Sequence, residues 1–229
     1  VAYANHYSSV STYSAPPGNL KPFDLTVLAA STGLRFKPAP STSPHWTLRP
    51  HVLFGATTAN GTNYFTTSGI GIDSDYRVSE TMLLAGTYTR SNLSFASRND
   101  MFNSAQQGGM RQTLRLQGTV ETGLNRFLMA EWGYVDHDGN APYTAYRGPE
   151  LRVAYALSYP PPMLATGLPW TTTLSASAVR REYRGADPFV DPLTVRQETE
   201  WRFSLVNAVP LSRDVGLHLQ LEHTKMPSN

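Results

Sequence analysis

Several groups of residues have the types and spacing to do chemistry. Asp136-His137-Asp138-Gly139-Asn140 gathers carboxylate and amide oxygens, the donors that Ca²⁺ prefers. It lacks the bidentate Glu and the spacing of an EF-hand loop, and a polar outer loop built of turn residues explains it better. His218 and Glu222 share one side of an alternating segment, and Ser204 precedes them, which suggests a hydrolase. That chemistry requires nucleophile, base and orienting group within hydrogen-bond reach, and no G-x-S-x-G occurs, so a hydrogen-bond network lining a lumen is the favoured reading. Gly69-Ile70-Gly71 has two of the glycines of a phosphate loop but precedes no helical pattern, so a bend or close packing in a strand explains it better. The fourth group is spread along the chain: Arg115, Gln117, Glu121, Arg152, Glu200, Arg202, His218, Gln220 and Glu222. Gathered on one surface, they could form rings that select solutes by charge and hydrogen bonding. They could equally pair with one another and fill an interior, since buried charges must be paired or solvated.

The elements that position these residues follow a period of two. Leu151, Val153, Tyr155, Leu157 and Tyr159 alternate with Arg152, Ala154, Ala156 and Ser158. Leu114, Leu116 and Val120 alternate with Arg115, Gln117, Thr119 and Glu121. Trp201, Phe203 and Leu205 alternate with Glu200, Arg202 and Ser204, and Val215 to Leu221 with Gly216 to Glu222. Few windows carry the helical spacing i, i+3, i+4, i+7. The pattern predicts about eleven strands near 2–14, 24–38, 46–58, 62–77, 81–93, 111–123, 126–136, 149–160, 170–184, 196–209 and 215–226, in one domain over 1–229. Many exceed the ~5–6 residues usual in soluble sheets and match the ~9–11 that cross a bilayer obliquely.

Composition narrows the class. The 229 residues are 40% hydrophobic but only 16% charged, against about 25% in ordinary soluble domains. No apolar run approaches the ~20 residues of a membrane helix. There is no cysteine, so disulfides and thiolate metal sites are excluded. The net charge of +2 carries no basic block, so nucleic acid is not an expected partner. No cofactor is expected either. The N-terminus opens without Met and without an apolar targeting segment, which reads as a mature form or a fragment.

Loop lengths add a direction. Short links at 77–80, 122–126 and 210–214 alternate with long polar ones at 94–110, 137–148 and 185–195, as in an outer-membrane barrel. The 157–170 link, with Pro160-Pro161-Pro162, is longer than that pattern asks, and the 38–45 link is also proline-rich. The loop from Ser94 to Met110 reads either as an external loop, the favoured reading, or as a constriction folded into a lumen. Trp46, Tyr88, Trp132, Tyr134, Tyr159, Trp170 and Trp201 lie on the apolar stripes near strand ends, where amphipathic rings suit a membrane–water interface. The expected fold is an all-β, transmembrane, antiparallel up-and-down barrel of about twelve strands. Single-chain barrels have even strand numbers. With eleven strands counted and Lys225 to Asn229 reading as a loop, a final strand is expected beyond this chain or from another segment.

The stretch Tyr183-Arg184-Gly185-Ala186-Asp187-Pro188-Phe189-Val190-Asp191-Pro192 is followed by Arg196, by Pro210-Leu211-Ser212-Arg213-Asp214 and by Leu219 to Asn229. These segments resemble the last strands of bacterial outer-membrane barrels linked to tetratricopeptide repeats, the group that includes surface lipoprotein assembly modifiers and exopolysaccharide-export porins. The resemblance covers about 183–229 and implies no catalytic motif. It implies residence in the bacterial outer membrane, contact with its lipids, and a periplasmic repeat module or other envelope protein as partner. The function expected is a pore for transport or export of a polar substrate, polymer or lipoprotein, not an enzyme. The alternative is a closed scaffold presenting its loops to a partner. An outer-membrane hydrolase and a soluble β-sandwich or barrel binding carbohydrate through Tyr and Trp are the remaining readings.

Overall fold

A computed structural model describes residues 2–9, 23–36, 46–59, 61–97, 104–161, 168–211 and 215–227. Among them the chain is all-β. The strands are β1 (Ala2–Ser9), β2 (Phe23–Gly33), β3 (Trp46–Ala59), β4 (Thr62–Arg77), β5 (Met82–Phe95), β6 (Gly109–Gly123), β7 (Arg126–Gly139), β8 (Tyr146–Tyr159), β9 (Trp170–Asp187), β10 (Asp191–Pro210) and β11 (Gly216–Lys225). A 3₁₀ turn spans Ser104–Gln107. Each strand pairs antiparallel with the next in chain order, giving one eleven-stranded up-and-down sheet. β1 and β11 are its edges, and among the described residues no ladder joins them, so the sheet is not drawn as a closed ring.

The turns follow local chemistry. Gly61 (φ 72°) and Asn125 (φ 61°) take the left-handed conformation that glycine and asparagine tolerate best, at the β3–β4 and β6–β7 turns. Between β9 and β10 the turn is tied by side chains. Asp187 Oδ1 accepts from the Phe189 N–H and Asp191 Oδ1 from the Leu193 N–H, both at 2.9 Å. β9 runs three residues past its expected end at 184, and β10 starts five residues before its expected start at 196. The 185–195 segment is therefore a tight hairpin tip and not a long loop. The β7–β8 loop likewise shrinks to 140–145, because β7 continues to Gly139 and β8 begins at Tyr146. Residues 10–14 and 37–38 of the first two expected strands lie outside the described residues, as do most of the two proline-bearing links.

Side-chain burial is inverted relative to a soluble sandwich. Among the described residues, the buried hydrophobic side chains are the small ones Ala59, Val135, Ala145, Ala154 and Val209. Leu28, Phe54, Ile70, Leu116, Leu151, Leu174, Phe203 and Leu219 are each more than half exposed. The opposite face buries Glu198 and Glu200 (8% exposed each) and His137 (5% exposed). An ordinary globular sheet hides its large aliphatics and shows its carboxylates.

Candidate functional site

Cross-strand register places every side chain on one face or the other. On the apolar face, Leu48, Ser74, Gly86, Leu116, Trp132, Leu151, Ala178 and Trp201 are successive partners from β3 to β10. Tyr88, Leu114, Tyr134 and Pro149 form the row beside it. Trp46, Tyr159 and Trp170 lie at strand ends on the same face, Tyr159 being the partner of Trp170. All seven aromatics expected at an interface thus share one face. Tyr76, opposite Trp46, belongs with them and was not singled out in the sequence. Their polar ends are engaged in part: Trp46 Nε1 donates to Ser74 Oγ (2.8 Å) and the Tyr88 hydroxyl to Gln112 Oε1 (2.8 Å).

The apolar residues form a band that crosses the ladder obliquely. On β3 it reaches Phe54, whose row passes through Ser68 to Asn92 on β5. On β11 it reaches only Leu221, whose row passes through Leu205, Leu174, Tyr155, Leu128 and Val120 to Met82 on β5. Asn92 and Met82 are ten residues apart, so this limit of the band shifts by ten residues over the eight steps from β3 to β11. At ~3.4 Å per residue and ~4.8 Å per strand, it runs at about 40° to the rows. The other limit agrees. The row of Trp46 meets β8 at Val153, six residues from Tyr159 and five steps from β3, which again gives about 40°.

The ionic face carries the charges expected there and others. Arg115, Gln117, Glu121, Arg152, Glu200, Arg202, His218, Gln220 and Glu222 all occupy it, by register. Three clusters form. Arg115 bridges Glu131 (3.7 Å) and Glu150 (3.2 Å), reaching Glu150 across the intervening strand because Gly133 stands between them and has no side chain. Arg181 pairs with Glu200 (2.9 Å) and Glu198 (3.8 Å), Arg202 joins Glu200 to Glu222 (3.3 Å), and Arg196 meets Glu198 (3.2 Å). Arg49 and His51 both meet Asp73. Arg181, Glu198, Glu131 and Glu150 escaped the sequence reading, although extending the same parity along their strands finds them.

Other candidates separate. Asp136 and Asp138 point to the apolar side, where Arg184 takes both (2.6 and 2.8 Å), while His137 points to the ionic side. One strand cannot bring all three to one cation. Ser204 is the partner of Glu222, but His218 is the partner of Ala208, four residues or about 13 Å along the ladder from Ser204. No nucleophile–base contact is made there. Gly71 is the partner of His51, and a Cβ there would strike the imidazole (2.5 Å), so this glycine makes room for the ring.

The end of the ionic face toward the 140–145 loop holds a cavity of about 570 Å³. Its floor is one row of partners, Arg111, His137, Tyr146 and Tyr183, on β6 to β9. Arg196 of β10 stacks on Tyr183 at 3.8 Å. The described part of the Ser94–Met110 loop packs beside this cavity. The Gln107 carbonyl accepts from His137 Nε2 (3.0 Å), Gln107 Oε1 from Tyr64 (3.3 Å), and the Gln106 carbonyl from Thr144 (2.7 Å). Ser104–Gln107 is thus tied by its carbonyls to His137 of β7 and to Thr144 of the 140–145 loop. Gly109 allows this turn-in with φ 144°, and a Cβ there would strike the Asp138 carbonyl. Burial raises the Tyr143 phenol above its ordinary value, assisted by Asp187.

No protein-family model matches the chain, and no curated protein matches it significantly.

Proposed function

We propose that this chain is the membrane-spanning part of a bacterial outer-membrane β-barrel, with its ionic face turned to a hydrated lumen through which a polar substrate, polymer or lipoprotein passes. The observation that carries the reading is the oblique apolar band. Barrel strands tilt by about 35–45° from the axis, so a level bilayer must cut the hydrogen-bond rows at that angle. The band's inclination of about 40° falls in this range. Along β8 the band runs from Leu151 to Tyr159 and along β9 from Trp170 to Ala178. Eight residue steps give ~27 Å of strand, or ~21 Å of height at that tilt, near the ~25 Å apolar belt of such barrels.

Lipid holds the exposed Leu, Phe and Trp side chains, and the lumen hydrates Arg152 and the rims of the ion-pair clusters. Closure pairs the edges of β1 and β11, directly or through a further strand, since hydrocarbon leaves no backbone group unmet. A periplasmic repeat module is the partner that the C-terminal resemblance suggests. The extent of charge pairing around Arg115 and Arg181 favours a second reading, in which the interior is closed and the barrel presents its loops. Planar-bilayer conductance of the refolded protein separates them: discrete channel steps support the pore, and a silent, correctly folded barrel supports the scaffold.

A further inference from the structure

We propose that the loop-end margin of the apolar face binds the phosphate of an anionic lipid through Arg90 and Lys225. The inference rests on the lipid-facing reading of the apolar band and adds the headgroup chemistry that its margin selects. By strand alternation Arg90 shares the face of Tyr88, and Lys225 the face of Leu221. The band's limit falls from the Asn92 row by two to three residues at β5, two steps from β3, so Arg90 sits at the limit itself. Lys225 stands four residues beyond Leu221, ~10 Å above the limit at ~3.4 Å per residue and a tilt of about 40°. The headgroup layer is ~5–8 Å deep on each side of the hydrocarbon. Long cationic side chains lie along a surface with their charge in the polar layer, so Arg90 reaches up into it and Lys225 down.

Both side chains are exposed, and among the described residues neither makes an ion pair. Arg90 has Ile70 and Gln112 as its cross-strand partners. Gln112 Oε1 accepts from the Tyr88 hydroxyl, so its amide N–H₂ group stands beside Arg90 as a second donor. The nearest described carboxylate on this face, Asp136, is two strands away, at ~10 Å, and is bonded to Arg184. Lys225 faces Trp201. Its nearest described carboxylate on this face is Glu182, two strands and four rows away, at ~17 Å, and held by Arg180 (2.9 Å). No anion of the protein therefore competes for either cation. A phosphate oxygen accepts from the guanidinium fork and the neighbouring amide together. Arg147 supplies the contrast: it lies in its row between Asp136 and Glu182, whose charge opposes an anion there.

Native mass spectrometry of the detergent-refolded full chain, titrated with dioleoyl phosphatidic acid, dioleoyl phosphatidylcholine or dioleoylglycerol, tests this. Folding of every variant is scored by circular dichroism and heat-modifiable gel migration, and exposed Arg→Gln and Lys→Gln changes leave the ladders intact. Phosphatidic acid should bind at least fivefold more tightly than the other two lipids. A basic residue at an anionic lipid surface is worth about fivefold. Arg90→Gln and Lys225→Gln should therefore each weaken phosphatidic acid binding by about that factor, and Arg147→Gln by less than either. Equal binding of the three lipids by folded protein overturns the proposal. So does phosphatidic acid binding that ignores the Arg90→Gln/Lys225→Gln pair, or its displacement by equimolar glycerol 3-phosphate, which would mark a site for free phosphate. Collision rates of spin labels on β8 with oxygen and a nickel chelate report the lipid-facing reading separately. If those labels meet the acyl chains while phosphatidic acid has no preference, the faces stand and this proposal alone fails.

Discussion

Leu174→Arg separates a lipid-facing side chain from a water-facing one by energy. Leu174 lies midway along the band on β9, four residues from both Trp170 and Ala178, with Tyr155 and Leu205 as its cross-strand neighbours. It is 54% exposed, so an arginine meets no steric obstacle from the protein. If water covered this face, the change would be worth about ±0.5 kcal/mol, as for most surface substitutions. If acyl chains cover it, arginine at mid-depth costs about 2–4 kcal/mol. At 1.4 kcal/mol per decade, that shifts the folding equilibrium by about 30- to 700-fold. The internal control is Leu193→Arg, near the hairpin tip beyond the band, where Leu193 is 91% exposed and the expected cost is about 0–1 kcal/mol. Equilibrium unfolding in urea, with vesicles present and tryptophan fluorescence as readout, measures both. Equal and small effects at the two positions refute the lipid-facing assignment.

Three further expectations follow from the ionic face and the hairpin tip. Gly133→Val places a side chain where a Cβ already lies 3.4 Å from Arg115 Cγ and Glu150 Cβ, so the Arg115–Glu150 pair is displaced, at a cost of about 1–3 kcal/mol in the same unfolding assay. Arg181→Met removes the cation that Glu198 and Glu200 share but leaves each a second arginine, Arg196 and Arg202; a loss of about 1.5–3 kcal/mol is expected, and Arg181→Met/Glu200→Gln should recover part of it. The Leu193 N–H bond holds the Asp191 carboxyl below its ordinary value of 3.8. A group depressed on folding stabilises above its unfolded value and loses that contribution as pH falls through the folded one. Leu193 amide exchange, corrected for intrinsic pH dependence, should therefore lose protection as the pH drops below 3.8, whereas Asp191→Ala should lack that protection throughout.

Strand existence was legible because period-two alternation survives in single stretches such as 151–159, and the short links at 77–80 and 122–126 separate consecutive strands. The extent of β9 and β10 was not legible. Gly185, Pro188 and Pro192 read as loop residues, and only the three-dimensional pairing of β9 with β10 through Val195 and Ala186 carries the strands past them. Charge partners were illegible for a related reason. Arg115 meets Glu150 across an entire strand, a contact that depends on Gly133 being level with both. His137 looked like a loop residue beside two aspartates; its hydrogen-bond partner, the Gln107 carbonyl, is thirty positions away. The oblique band needs the register of every ladder at once, which no local window contains.

The absence of cysteine makes the decisive measurement simple, because single-cysteine variants need no background removal. Spin labels at 151 through 157 on β8, in protein refolded into vesicles, should alternate in collision rate. Labels at 151, 153, 155 and 157 should meet oxygen dissolved in the acyl chains, and the label at 152 should meet a water-soluble nickel chelate. The reverse pattern, or nickel access at every odd position with no oxygen preference, contradicts the assignment of the two faces.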